Sequence, residues 1–270
     1  MKEFFGTDNL KVIILAAGEG RRLRPLTDNK PKCMVKLFGK SLLEYQVEIF
    51  KENKIEDISV VTGFKADTIN LKGLTYFQNK NYESTNMVET LFCAREKLSG
   101  SVIVSYGDII FEKKIVQKLI DSKEDFSVLI DINWKKYWQM RFENPLEDAE
   151  SLILDENDYI KNIGQKVRNY DKIQGQYMGL MKFQNEGIEY LKDFYDKAKI
   201  QAKTGVNLLN PTIPFEKSYM TDLIQGLIND GYKIKSIPIT NGWLELDSIN
   251  DYQIYEKMYR ENTINRIFSP

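Results

Sequence analysis

The sequence predicts an α/β fold built on a doubly wound, mostly parallel sheet with helices on both faces. Three observations carry that expectation. Apolar runs rich in β-branched residues, at 12–15, 58–61 and 102–104, show no alternation, the pattern of strands buried on both faces. Stretches with apolar residues at helical spacing stand between them. Each run leads within a few residues to a glycine, at the strand end where such a sheet opens its crevice.

In chain order, the first run passes through Ala16 and Ala17 into Gly18, Glu19 and Gly20, a strand ending in a tight turn. Residues 41–53 carry Leu42, Leu43, Val47, Ile49 and Phe50 at helical spacing, and Ser41 with Glu44 makes a capping box. The second run ends at Thr62 and Gly63, and a short strand follows near 75–77. Residues 86–98 read as one amphipathic helix capped by Asn86. The third run leads to Tyr106, Gly107 and Asp108, followed by a helix over 115–122 and a strand over 126–130. Residues 133–148 pack two tryptophans, Tyr137 and Phe142 among charges, without a clean period. A hairpin of 152–154 and 159–163 flanks a polar turn, and a strand spans 177–183. Helices over 188–198 and 219–229, strands over 234–239 and 243–247, and a helix over 248–261 close the chain. Residues 1–270 read as a single domain of Rossmann-like form, with 134–177 a small β-rich insertion over the crevice, because no linker or repeat marks a boundary.

Chemistry concentrates after the first strand. Arg21, Arg22 and Arg24 follow Gly18 and Gly20, and Lys32 follows Pro31. Free backbone N–H groups beside guanidinium and ammonium groups suit a polyphosphate. The stretch lacks the Gly-Lys-Ser/Thr of a phosphate-binding loop, and Leu23 stands where a dinucleotide fingerprint has its third glycine. Asp108 and Asp247 each fall at a strand end, placed as Mg²⁺ ligands, with turn or helix-cap roles as the alternatives. Glu245 shares a strand face with Asp247.

Composition excludes several classes. The 38 Lys+Arg and 39 Asp+Glu nearly cancel, so no basic stripe argues for nucleic acid. No apolar run spans a bilayer, and the opening residues lack the apolar region of a signal peptide. The two cysteines, Cys33 and Cys93, match no metal or redox spacing, which points to a cytoplasmic setting. Histidine is absent, which excludes histidine triads and histidine acid–base catalysis.

The gapped run Leu15-Ala16-Ala17-Gly18, Gly20, Arg22-Leu23, Pro25-Leu26-Thr27, Pro31-Lys32, Met34-Val35 resembles the signature of the nucleotidyltransferases that make nucleotide-activated sugars and alcohols. Arg21 departs from it, standing where that family has Ser or Thr. The resemblance also covers Gly107-Asp108 and Trp243-Leu244-Glu245-Leu246-Asp247, and it narrows on Glu143-Asn144-Pro145-Leu146, Gly164-Gln165-Lys166 and 174–180. Those segments look like the phosphocholine, phosphonate and phospho-amino-acid cytidylyltransferases. The resemblance implies an Mg²⁺-dependent transfer from CTP to a small phosphorylated compound, releasing pyrophosphate, in surface-polysaccharide or capsule pathways. It places the base over Leu15, Ala16 and Ala17, and the β- and γ-phosphates on Arg22 and the Gly18–Gly20 turn; Arg21, outside the pattern, either adds a cation near the phosphates or points to water. It puts Lys32 at the α-phosphate and the metal on Asp108 and Asp247.

For the acceptor, Trp134, Tyr137, Trp138 and Phe142 with Glu143, Glu147 and Asp148 offer aromatic faces beside carboxylates, with Tyr177, Asp222 and Glu245 facing the same crevice. That set suits a cationic or zwitterionic head; the alternative is that the rings pack as a small core. A sugar-1-phosphate nucleotidyltransferase using UTP or dTTP, and a non-catalytic nucleotide-binding module, stand as rival readings. The oligomeric state is open, a homodimer among the options.

Overall fold

The computed structural model describes residues 10–270, so the opening segment read above for a leader lies mostly outside the described residues. In chain order the elements are β1 (Leu10–Ala16), β2 (Lys36–Leu37), β3 (Lys40–Ser41), α1 (Leu42–Glu52), β4 (Asp57–Thr62), β5 (Thr75–Gln78), α2 (Met87–Phe92) and β6 (Ser101–Tyr106). Then come β7 (Ile109–Phe111), α3 (Lys113–Asp121), β8 (Phe126–Asp131), α4 (Trp134–Arg141), β9 (Glu150–Leu154), β10 (Ile160–Lys166) and β11 (Gln176–Gln184). The chain closes with α5 (Gly187–Ala202), α6 (Met220–Asn229), β12 (Lys235–Ile239), β13 (Trp243–Glu245) and α7 (Ile249–Arg260).

Seven strands form one sheet in the order β12-β8-β11-β6-β1-β4-β5. All its pairs are parallel except those made by β11, which runs antiparallel to both β6 and β8. The alternation of β1 explains the two layers. Val12, Ile14 and Ala16 enter one core with α1, α3, α4 and α7, while Ile13 and Leu15 enter the other with α2, α5 and α6. The chain leaves β1 for β4 on one side and returns to β6 on the other. That reversal puts the crevice beyond the carboxyl ends of β1 and β6.

Two segments differ from expectation. The helix read over 86–98 is α2 followed by a separate 3-10 turn, Arg95–Lys97. The stretch with no clean period contains α4, whose buried residues Trp134, Tyr137, Trp138 and Arg141 fall at helical spacing. The fourth of these is charged, so the buried stripe is hidden in a hydrophobicity pattern. Strands β9 and β10 form the hairpin, a separate two-stranded sheet. It rests on α6, where the Gln225 side chain accepts the Ile163 N–H at 2.9 Å.

Candidate active site

The turn after β1 is shaped by what packs against it. Gly20 has φ +70, the left-handed region, and a Cβ there would meet Lys32 Cβ at 2.9 Å and Thr27 Cγ2 at 3.2 Å. Its carbonyl accepts the Thr27 hydroxyl at 2.8 Å and the Leu23 N–H at 2.9 Å. The segment thus folds back tightly enough to bring Lys32, on a short 3-10 turn begun by Pro31, under the crevice.

The turn after β6 carries Asp108. Gly107 is obligatory there, because a Cβ would stand 2.7 Å from the Leu15 carbonyl oxygen and 3.1 Å from Ala16 Cα. Gln46 of α1, fully buried, holds the turn from beneath. Its amide donates to the carbonyls of Tyr106 at 2.8 Å and Ile109 at 2.7 Å, and its oxygen accepts the Ser105 hydroxyl at 2.8 Å. Asp247 arrives from the far end of the sequence. Strand β13 pairs with β7, and the Leu246 N–H donates to the Asp108 carbonyl at 2.9 Å. Asp251, in the capping box of α7, accepts the Asp247 N–H at 3.0 Å and so fixes its backbone.

These constraints converge on one ammonium. Lys32 Nζ lies 2.7 Å from Asp108 Oδ2 and 2.5 Å from Asp247 Oδ1, and Arg22 pairs with the other Asp247 oxygen. Burial alone would discharge Lys32, but the two carboxylates hold it protonated, well above its ordinary range. Burial likewise works against the Asp247 carboxylate, and Lys32 and Arg22 hold it below the usual carboxylate range. Among the described residues, Asp108 Oδ1 is buried with no hydrogen-bond partner. Two carboxylates with an orphaned oxygen form an oxygen-only donor set that fits a hard divalent cation keeping phosphate and water ligands. Among the described residues no group of three or more acidic or cysteine side chains forms a full metal cage.

Two cavities meet at this cluster. The first, about 170 Å³, is lined by Leu15, Ala16, Ala17, Gly18, Lys32 and Cys33 on one side, and by Tyr82, Thr85, Asn86 and Thr90 on the other. A Cβ on Gly18 would meet nothing within 4 Å, so its backbone faces open space. The second, about 240 Å³, shares Met87, Tyr106 and Asp108 with the first and runs under the β9–β10 hairpin. Arg22, Trp138, Asp148, Glu150, Gln176, Tyr177, Glu245 and Asp247 are among its walls.

The sequence candidates therefore divide. Leu15, Ala16, Ala17, Gly18, Lys32 and Asp108 line the first cavity, and Arg22, Trp138, Tyr177, Glu245 and Asp247 the second. Gly20 shapes the turn without lining either. Other placements depart from expectation, and of the acceptor set Tyr137, Phe142 and Glu147 also line neither cavity. Arg21 turns to Glu19, its Nε 2.5 Å from the carboxylate, on the exposed side of the turn. Trp134 is buried and packs edge-on against Trp138, in the core rather than on a cavity wall. Glu143 is exposed and lines neither cavity. Asp222 is buried and caps α6, accepting the Tyr219 N–H at 2.7 Å and the Asn210 amide at 2.9 Å. Sequence reasoning missed Glu150 and Arg141. Glu150 begins a hairpin strand with nothing local to distinguish it. Arg141, its side chain fully buried, bridges Glu245 at 2.7 Å and Asp251 at 2.9 Å, and its place on the Trp134–Trp138 stripe was the available signal.

Residues 12–140 match the MobA-like NTP transferase domain family. A relative from Campylobacter jejuni, a CTP:phosphoglutamine cytidylyltransferase, is 38% identical over 256 residues, spanning 91% of this chain and 98% of the relative. The choline-phosphate cytidylyltransferase of Streptococcus pneumoniae is 37% identical over 107 residues, 38% of this chain and 47% of its own length. The solved structure of a CTP:phosphocholine cytidylyltransferase from S. pneumoniae shares the fold, with a TM-score of 0.71 at 22% identity, covering 93% of this chain and 99% of that one. No helix among the described residues is long and apolar enough to cross a membrane.

Proposed function

Because the chain belongs to the cytidylyltransferase family of nucleotidyltransferases, we propose that it joins CTP to a small phosphorylated compound of the phosphocholine, aminoethylphosphonate or phosphoglutamine kind. The products are a CDP-linked compound and pyrophosphate. The observation that carries this reading is the Lys32–Asp108–Asp247 cluster at the junction of two cavities. The nucleotide occupies the first cavity and the acceptor the second, so the reacting atoms meet at the shared wall.

An oxygen of the acceptor's phosphate attacks the α-phosphorus of CTP, and the bond from that phosphorus to the bridging oxygen of the leaving pyrophosphate breaks. The attacking oxygen is already anionic near neutral pH, so no general base is required, in keeping with a chain that has no histidine. Catalysis is then alignment and charge neutralisation. Lys32 supplies a fixed positive charge at the α-phosphate. Arg22 releases Asp247 to meet the incoming phosphates. Small side chains at Ala16 and Ala17 leave room for the pyrimidine. Mg²⁺, held by Asp108 and Asp247, would supply further neutralisation of the phosphate oxygens.

The Campylobacter relative is a CTP:phosphoglutamine cytidylyltransferase, which supports CTP as the nucleotide and a phosphorylated amino acid among the acceptors. A cytoplasmic reaction, where CTP is available, and a product used in surface-polysaccharide or capsule modification complete the reading on the strength of the family branch. The test is pyrophosphate release across ATP, CTP, GTP and UTP with a panel of phosphorylated acceptors. Release with CTP and a small phosphorylated amine or alcohol is expected. Preference for UTP with glucose 1-phosphate would leave only the superfamily assignment, and no release with any pair would support a binding module.

A further inference from the structure

The acceptor cavity is lined by five carboxylates, Asp108, Asp148, Glu150, Glu245 and Asp247, and their pairing is unequal. Asp108 and Asp247 share Lys32, and Glu245 takes the buried guanidinium of Arg141. Asp148 accepts a neutral hydrogen bond from Trp138 Nε1 at 3.0 Å and feels the charges of Arg141 and Arg22 without forming an ion pair with either. The Glu150 side chain has no hydrogen bond or ion pair among the described residues; only its backbone is engaged, with Gln176. Uncompensated carboxylates in a confined cavity are costly without a cation to meet them. Burial, then the neighbouring charges of Asp148 and Asp222, push the Glu150 carboxyl up to about 7, as befits an acid whose counter-charge is missing.

Most of the aromatic faces next to these acids are already in use; Tyr219, about half exposed on the cavity wall, is the exception. Arg141 lies 5.2 Å from the ring centre of Tyr137, 5.5 Å from that of Trp138 and 5.1 Å from that of Phe142. Trp138 also packs edge-on against Trp134 and Tyr137. Tyr106 and Tyr177 meet edge-on at 5.5 Å. The cation stacked on this cluster is the chain's own. A quaternary ammonium is recognised by open ring faces, whereas an ammonium bearing N–H groups is recognised by charged acceptors. Among the described residues this cavity offers one largely open ring, Tyr219, against two acids without an ion pair, Asp148 and Glu150.

We propose that the acceptor carries an ammonium group with N–H donors, as in an aminoalkyl phosphate, an aminoalkylphosphonate or a phosphorylated amino acid, and that Asp148 and Glu150 read it. A trimethylammonium head, which offers no N–H, is discriminated against. The inference rests on the acceptor occupying the second cavity, as in the proposed function, and it turns a general preference for cations into a choice between two kinds.

The test compares phosphoethanolamine with phosphocholine, identical but for three N-methyl groups, under saturating CTP. It is run on the parent, Glu150→Gln and Asp148→Asn, by pyrophosphate release and by calorimetric binding to protein loaded with a non-hydrolysable α,β-methylene CTP. The expected result is a kcat/KM at least about 30-fold higher for phosphoethanolamine, and a KM raised about 10- to 100-fold for that acceptor in each variant, the scale of one charge-assisted hydrogen bond. The KM for CTP should stay unchanged. Equal or better use of phosphocholine, or variants that keep the parent's ratio, would overturn the inference while leaving cytidylyl transfer intact. If calorimetry shows the preference and no acceptor is turned over, the amine site stands and the transfer reading fails.

Discussion

Replacing Glu150 by Gln should make the ligand-free protein more stable, and increasingly so as pH rises. A carboxyl whose folded pKa is raised from its ordinary 4.5 to about 7 binds its proton more tightly in the folded state. Folding is then favoured by that group at low pH, and the advantage is lost as pH climbs through the window between the two values. Relative to a neutral isostere, the charged form costs about 3 kcal/mol at about pH 8, about 2 kcal/mol at about pH 6, and less than about 1 kcal/mol at about pH 5. Those figures are ceilings, since partial access to solvent through the cavity relieves some of the cost. The assay is urea unfolding of both proteins at several pH values without nucleotide or acceptor, with thermal melts alongside, where each kcal/mol moves Tm by about 2–4 °C. A stability gap that stays constant from about pH 5 to about pH 8, or a variant less stable than the parent throughout, would refute the reasoning. Either result would mean that Glu150 has a partner, or open solvent, that leaves its charge compensated.

Three further outcomes follow from the same geometry. Lys32→Ala should lower kcat by about two to three orders of magnitude, the scale of one lost transition-state charge contact, with a smaller change in CTP affinity; single-turnover kinetics with wild-type rates would remove Lys32 from the chemistry. Asp108→Asn and Asp247→Asn should each abolish turnover, and the double variant should be little worse than either, because residues acting as a unit are not additive; multiplying losses in steady-state assays would argue for separate roles. Gly107→Ala should cost about 1–3 kcal/mol through its clash with the β1 backbone, seen in urea midpoints, and raise the KM for CTP by shifting Asp108; a variant with parental stability would show that the turn has room to relax.

The turn after β1 and its side of the first cavity were legible because their residues are local in sequence. A buried run, two glycines and a lysine after proline lie within about two dozen residues, and each does its work through its own backbone conformation. Asp108 and Asp247 were legible as strand-end acids. The second cavity was not, because it is assembled from separated elements whose residues look ordinary alone. Trp134 and Trp138 stand one turn apart on α4, yet one is core and the other a cavity wall, a difference set by what packs beneath them. Arg141 broke the apolar pattern while obeying the helical one, so the buried stripe read as disorder of period. Asp222 looked like a ligand and serves as a cap, since an acid at the first turn of a helix meets free N–H groups before it meets any substrate. Glu150 became visible only once its lack of a partner could be inspected.

The pairing of β13 with β7 bears on when the enzyme comes into being. Lys32 and Asp108 are made early, but their third member waits until the ribosome has passed residue 247 and the C-terminal helix has begun to cap it. Until then Trp243 is missing from its place against Tyr137, and its indole is absent from Asp131, where it donates at 2.9 Å in the finished protein. Domains fold as units when their last contributions emerge. A nascent or prematurely terminated chain therefore carries the glycine turn without the completed Lys32–Asp108–Asp247 cluster.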